Sequence, residues 1–251
     1  MENRGFVTGA SVDNQDLLPW WIGCVQKHAP KVPFSIADLG LSGKCRHWLG
    51  KQDIVVQDAY YQKASYPWFL KPRMLAEAPF KQACWLDLDC EMVADCSDIF
   101  DYAKPGKLGL TVCVDTRLLN HYPPSSYNQM GINEGDSVAN PSWTGSNQSA
   151  PYWWATGVVL RDGPTELLDR WLERTEKERE RGDQEALRGL LDDYPSLHKD
   201  IWPLPPAFQW LRKAPRPHPY PRIIHWTGKR GKKFIRLHRF SPTMKANGLP
   251  W

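Results

Sequence analysis

Short apolar runs alternate with amphipathic stretches along the first half of the chain. "GFVTGAS" (5–11) predicts a strand followed by a turn. Asp16 is placed to cap the amphipathic stretch "DLLPWWIGCVQKHA", and Pro19 falls in its first turn, where a missing N–H costs nothing. "VPFSIADLGLS" (32–42) predicts a second strand entering a glycine turn, and "DIVVQ" (53–57) a third. "WFLKPRMLAEA" (68–78) has the spacing of a helix with Pro72 early in it. "QACWLDL" (82–88), "KLGLTVCVD" (107–115) and "YWWATGVVL" (152–160) are β-branched or apolar runs that predict further strands. Strands that alternate with helices and are apolar throughout imply an α/β fold with a mostly parallel sheet covered on both faces.

The second half changes character. Residues 120–151 are rich in Gly, Pro, Ser and Asn, which fits either a disordered segment or a substrate-binding loop. A helix is expected over 164–182, with Leu167, Leu168, Trp171 and Leu172 facing the core, and a second over 183–191. From 195 to 221, prolines and aromatics predict an extended wrap over the surface. Residues 222–240 predict a brief strand followed by a basic tail.

At 251 residues the chain is long enough for a substantial core in one domain. Its 13 Trp make it rich in flat stacking surfaces, and a net charge of +4 is too small to argue for nucleic acid by itself. No apolar run reaches the roughly 20 residues of a membrane span. "MENRGFVTGAS" lacks the basic-then-apolar order of a secretory signal. Six cysteines without C-x-x-C spacing, several of them in apolar runs, fit reduced thiols, so a cytoplasmic location is expected.

Two constellations could carry chemistry. "WLDLDCE" ends an apolar run on Asp87 and Asp89, which in an extended chain point the same way. At the carboxyl end of a strand, where α/β sheets bind ligands, such a pair calls for a divalent cation; a solvated strand end would also produce it. "IIHWTGKRGKK" leads from an apolar pair into His225, Gly228 and a group of lysines. That suits a metal ligand, a close backbone approach and a diphosphate, or else a capping histidine with a solubilising tail.

Together with "FVTGAS", "ADLGLS", "FLKP", "WLDLDCEMVADCSDIF", "WWATGVV", "GDQEAL" and "IIHWTG", taken in order, these residues make the chain resemble the GT-A glycosyltransferases. It looks most like the retaining branch that includes glycogenin and the bacterial lipopolysaccharide galactosyltransferases. The resemblance implies a Rossmann-like nucleotide-diphospho-sugar transferase fold spanning 1–251 as a single domain. Residues 1–115 would form the nucleotide-sugar-binding half, 116–228 the acceptor-binding half and 229–251 a basic C-terminal tail. It implies Mn²⁺ or Mg²⁺ held by Asp87, Asp89 and His225, and a nucleotide-sugar donor, a UDP-sugar. Thr8, Gly9 and Ala10 would line the nucleoside pocket, and Lys71 would lie near the donor. Gly228 and Lys232 would meet the diphosphate, with Lys229 the alternative lysine. Asp183 and Gln184 match the element that lies beside the transferred sugar; Asp183 also reads as a helix N-cap after Gly182. The chain departs from the family's H-x-x-G-x-x-K-P-W pattern, since Gly231 stands where the lysine is expected and Lys232 comes one residue later. Thr156 and Gly157 replace the usual Asn-Ser-Gly.

The expected activity is metal-dependent sugar transfer to an acceptor hydroxyl with retention of configuration. A glycan or glycoconjugate acceptor is placed ahead of a modified base in DNA, which the basic tail could grip. A catalytically silent module that binds glycan or nucleic acid is the non-enzymatic alternative. A nucleotidyltransferase would carry a glycine-rich phosphate loop after its first strand, and "VTGASVDNQD" has too few glycines for one.

Overall fold

A computed structural model describes residues 3–52, 54–58, 66–114, 152–177, 182–212 and 220–240. Strands β1 (Arg4–Ala10), β2 (Phe34–Asp38), β3 (Val55–Asp58) and β4 (Gln82–Leu86) alternate with helices α1 (Leu18–His28), α2 (Gly43–Gly50) and α3 (Lys71–Ala76). There follow β5 (Cys90–Met92), β6 (Leu108–Val114), β7 (Tyr152–Asp162), α4 (Glu166–Glu176), α5 (Asp183–Asp193), β8 (Ile201–Pro203), β9 (Trp210–Leu211), β10 (Ile223–His225) and α6 (Gly228–His238).

Seven strands form the central sheet in the order β3-β2-β1-β4-β7-β6-β8. Only β7 runs antiparallel to its neighbours; β3, β2, β1 and β4 pair in parallel, as do β6 and β8. A small second sheet has the order β5-β10-β9. The expected α/β fold with a mostly parallel sheet is present.

The near-continuous apolar strands reflect burial on both faces. On β1, Phe6 and Ala10 join a core with Leu18, Trp21 and Val25 of α1 and Leu49 of α2. Val7 points the other way, into a core with Met74 and Leu75 of α3, Trp171 of α4 and Leu187 of α5. Trp21 and Trp171 are fully buried. Each contributes roughly 4–6 kcal/mol of transfer free energy, at about 25 cal/mol per Å² over the area a buried indole removes from water.

Several expectations are corrected. Asp16 caps nothing: the N-cap of α1 is Leu17, without a side-chain cap bond, and Asp16 instead pairs with Arg236 of α6. The segment from 195 is more than a surface wrap, because it adds β8 to the central sheet and β9 to the small one. The basic tail begins as an ordered helix, α6, since Ile235 packs into the core while Arg236 and Arg239 pair with Asp16 and Glu91. Alternation left these out because each depends on a partner distant in sequence. The expected loop at 120–151 and the end of the chain from 241 lie outside the described residues. The five described cysteines, Cys24, Cys45, Cys84, Cys90 and Cys96, are free thiols. Among the described residues no helix is long and apolar enough to cross a membrane.

Candidate metal centre

The carboxyl ends of β1 and β4 open on one side of the sheet, and there the chain gathers its charged residues. Strand β4 stops at Leu86, one residue before Asp87. Asp87 and Asp89 converge through a tight turn, in which the Cys90 N–H donates to the Asp87 carbonyl at 2.8 Å, rather than through strand alternation. The expected strand over 82–88 is shorter for that reason. Trp85 braces the turn by donating its indole N–H to Asp87 Oδ1 at 2.7 Å.

Opposite the turn, β10 pairs antiparallel with β5 and delivers His225. His225 Nε2 lies 3.2 Å from Asp89 Oδ1 and 3.8 Å from Asp87 Oδ2. One ligand atom from each of the three residues can be chosen so that all lie within 4.8 Å of one another. Two carboxylates and an imidazole, of which Asp89 and His225 are buried, form a donor set suited to Mn²⁺ or Mg²⁺. The residues fit the ion that the sequence implied.

Two ammonium groups complete the cluster. Lys71, 3% exposed at the start of α3, bridges Asp87 Oδ1 at 2.8 Å and Asp183 Oδ2 at 2.7 Å, and donates to the Thr156 carbonyl at 3.1 Å. Burial pulls the Lys71 pKa down, but Asp183 and Asp87 outweigh it and hold the ammonium above its ordinary value. Lys232 Nζ lies 3.1 Å from Asp89 Oδ2. Burial would raise the Asp89 pKa; His225 and Lys232 outweigh it and keep the carboxylate ionised well below its usual range.

An irregularity in β7 makes these contacts reachable. The β6–β7 register jumps from Leu110↔Val159 to Thr111↔Ala155, so residues 156–158 bulge out of that ladder. The bulge turns the Thr156 carbonyl toward Lys71 and lets Gly157 accept the Asp87 N–H at 2.8 Å. The Thr156 hydroxyl donates to Asp183 Oδ2 at 2.9 Å. Gly157 is required by space: a Cβ there would lie 2.5 Å from His225 Nδ1 and 2.7 Å from Gln209 Nε2.

Arg161 anchors the same region from below. It is 5% exposed and donates to the carbonyls of Leu75 and Ala76, the last two residues of the α3 that begins with Lys71, and of Ala78, Phe80 and Lys81 just beyond it. Trp171 likewise donates to the Asp183 carbonyl at 2.8 Å and fixes the start of α5.

Of the expected site residues, Lys71, Asp87, Asp89, Asp183, His225 and Lys232 come together in one connected network. Thr8, Gly9 and Ala10 occupy the last turn of β1's pleat at the same end of the sheet; the Thr8 hydroxyl is fully buried and has no hydrogen-bond partner among the described residues. Gln184 follows Asp183 in the first turn of α5, and its side chain makes no hydrogen bond among the described residues. Gly228 opens α6 with a φ of 77°, so the H-x-x-G glycine serves backbone conformation. Gly231 explains the displaced lysine, because a Cβ at that position would collide with the Trp226 carbonyl oxygen at 1.2 Å.

Sequence reasoning missed Gln209. It is 4% exposed; its Oε1 accepts from the Val158 N–H at 2.8 Å and the Thr111 hydroxyl at 3.1 Å, and its Nε2 faces His225 Nδ1 at 3.2 Å. The only available signal was a lone amide between Phe208 and Trp210.

No family model matches the chain, and no curated protein matches it in sequence. Solved structures do. The galactosyltransferase LgtC in complex with donor and acceptor sugar analogues matches over 96% of this chain and 99% of that one, with a TM-score of 0.53 and 14% identity. The bifunctional glycosyltransferase WbbM matches over 98% of this chain and 51% of that one, with a TM-score of 0.60 and 11% identity. The glycosyltransferase GlyE of Streptococcus pneumoniae TIGR4 matches over 90% of this chain and 56% of that one, with a TM-score of 0.57 and 15% identity. This chain therefore spans about half the length of the last two. At such identities the likeness establishes the fold, which is that of the GT-A glycosyltransferases.

Proposed function

We propose that this chain is a metal-dependent glycosyltransferase that moves a sugar from a nucleotide-sugar, a UDP-sugar, to a glycan hydroxyl with retention of configuration. The observation that carries the reading is the convergence of Asp87, Asp89 and His225 at the carboxyl end of the sheet, flanked by two ammonium groups. A silent binding module would have no use for three carboxylates gathered around a buried lysine and a buried histidine.

Asp87, Asp89 and His225 would hold Mn²⁺ or Mg²⁺, which when bound neutralises a diphosphate and makes it a better leaving group. Lys232, at the half-buried start of α6, would exchange Asp89 for the diphosphate, and Gly228 would shape the backbone beside it. Thr8, Gly9 and Ala10 would frame the nucleoside. Lys71 and Thr156 both take Asp183 Oδ2, while Oδ1 has no hydrogen bond among the described residues and would face positive charge developing on the sugar. Asp183 and its neighbour Gln184 would thus supply the sugar-facing side of a retaining reaction.

A glycan acceptor is favoured over DNA by an aromatic pair at the rim. Tyr66 and Trp68 are exposed and stacked, with centroids 4.7 Å apart and planes within 8°, and the Trp68 indole lies 3.7 Å from where Gly182 would carry a Cβ. That flat apolar face beside Asp183 suits a pyranose ring. Incubation with UDP-sugars, Mn²⁺ and glycan acceptors should give a glycoside whose anomeric configuration, read by NMR, matches the donor; product formation undiminished in EDTA would overturn the metal assignment.

A further inference from the structure

Helix α6 carries more positive charge than the metal centre uses. Residues 201–251 hold eleven Lys and Arg and no Asp or Glu, whereas the first 200 residues hold 21 basic and 28 acidic. Five of the eleven stand in α6, and Arg239 is its C-cap. Three of these six face inward: Lys232 pairs with Asp89, Arg236 with Asp16 and Arg239 with Glu91. Ile235 in the core and Gly231 against the Trp226 carbonyl complete that inner face. Lys229, Arg230 and Lys233 are exposed and have no ion-pair partner among the described residues. Spacings of three and four place them on the outer face, in one stripe with Leu237, which is 55% exposed. Phe234 flanks the stripe, half-buried and stacked on Trp226.

We infer that this outer face is a docking surface for an anionic lipid bilayer. Lys229 and Lys233, four residues apart, are a like-charged pair that weakens a helix standing alone, and a negatively charged headgroup layer relieves it. Leu237 decides among anionic partners. Nucleic acid offers phosphates to the three cations but no apolar layer to the leucine exposed beside them. A bilayer offers both, because its acyl boundary lies just beneath the headgroups. A basic helix with an apolar side chain in its charged stripe therefore binds such a surface reversibly, and more tightly as the share of anionic lipid rises. Helix α6 is about 10 Å across, so the pair between Lys232 and Asp89 on its inner face lies roughly one helix diameter from the headgroups. Docking in this way goes beyond the proposed activity and does not rest on it.

Co-sedimentation of the full chain with vesicles tests the inference without any sugar transfer. The protein should bind vesicles of phosphatidylcholine mixed with phosphatidylglycerol at least about tenfold more tightly than phosphatidylcholine alone, and should release them as salt rises from about 0.1 M to about 1 M. Arg230→Gln combined with Lys233→Gln should weaken binding to the mixed vesicles about tenfold or more. Leu237→Gln should weaken it about three- to tenfold and leave the salt dependence unchanged. All three side chains are exposed, and thermal melts check that the variants fold. No binding to the mixed vesicles, equal binding to both kinds, or binding unchanged in the folded double variant would overturn the inference. Wild-type binding by Leu237→Gln, or duplex DNA held more tightly than the mixed vesicles in the same salt, would overturn the bilayer as partner. A chain that docks as described but transfers no sugar supports this inference and counts against the proposed activity alone.

Discussion

Replacing Gly157 with alanine probes how closely the metal centre is fitted to the bulge in β7. An added Cβ would lie 2.5 Å from His225 Nδ1, 2.6 Å from its Cε1 and 2.7 Å from Gln209 Nε2. Ordinary van der Waals contact begins at 3.4 Å, so the ring has to retreat by about 0.9 Å. Gln209 cannot make room, because its Oε1 is held by Val158 and Thr111. Coordination distances tolerate only about 0.2 Å, so His225 is lost as a good ligand. Affinity for Mn²⁺ in the presence of UDP should fall about 10–100-fold, the range seen when a ligand's support is removed. Overpacking costs a further ~1–3 kcal/mol of stability, a fall in Tm of roughly 2–10 °C for a chain of this size. Isothermal titration and a thermal melt measure the two effects separately. Gly23→Ala is the control: nothing lies within 4 Å of its Cβ in the middle of α1, so it should raise Tm slightly and leave Mn²⁺ binding alone. A folded Gly157→Ala protein that binds Mn²⁺ within twofold of the wild type would refute the steric reasoning.

Trp68→Ala should raise the acceptor KM about three- to tenfold with the donor KM unchanged, because it removes one ring of the stacked pair; an unchanged acceptor KM in initial-rate kinetics would count against the aromatic platform. Asp38 accepts from the Gly40 and Leu41 N–H groups and pairs with Arg46. Burial raises its pKa, but Arg46 and the two loop N–H groups outweigh this and leave it below the ordinary 3.8. The folded form therefore binds its proton later than the unfolded one, and the stabilisation is present at neutral pH and lost as the pH falls through the folded pKa. Asp38→Asn should cost about 1–2 kcal/mol at pH 7, with the gap from wild type closing below pH ~4 in denaturant titrations. Asp16→Ala should lower stability by about 1 kcal/mol in the same assay, since it frees Arg236 and loosens α6.

Much of this architecture was legible because local signals and global fold agree. Strands β1, β2 and β4 are buried on both faces and read as apolar runs, and the acidic pair stands at a strand's carboxyl end, where a parallel sheet opens. Asp87, Asp89, His225 and the lysine group that includes Lys232 stood out by residue type and position, whereas Lys71 and Asp183 were singled out by the resemblance to the GT-A glycosyltransferases. What stayed hidden is non-local. Gln209 matters only because β9 pairs with β10 and returns it beneath the bulge in β7. Arg236 and Arg239 read as members of a solvated charge run, since their partners Asp16 and Glu91 lie in the first half of the chain. Gly157 and Gly231 looked like departures from a family pattern, and the collisions that a Cβ would cause at each are their physical reasons.

The central claim is a cation site built by Asp87, Asp89 and His225 that serves a nucleotide diphosphate. Calorimetric titration of UDP in Mn²⁺, in EDTA, and into the Asp89→Asn protein tests it most directly. The account predicts saturable binding in Mn²⁺, weakened at least tenfold by EDTA and by the substitution alike. UDP binding of equal strength in all three conditions, or none in any, would contradict it.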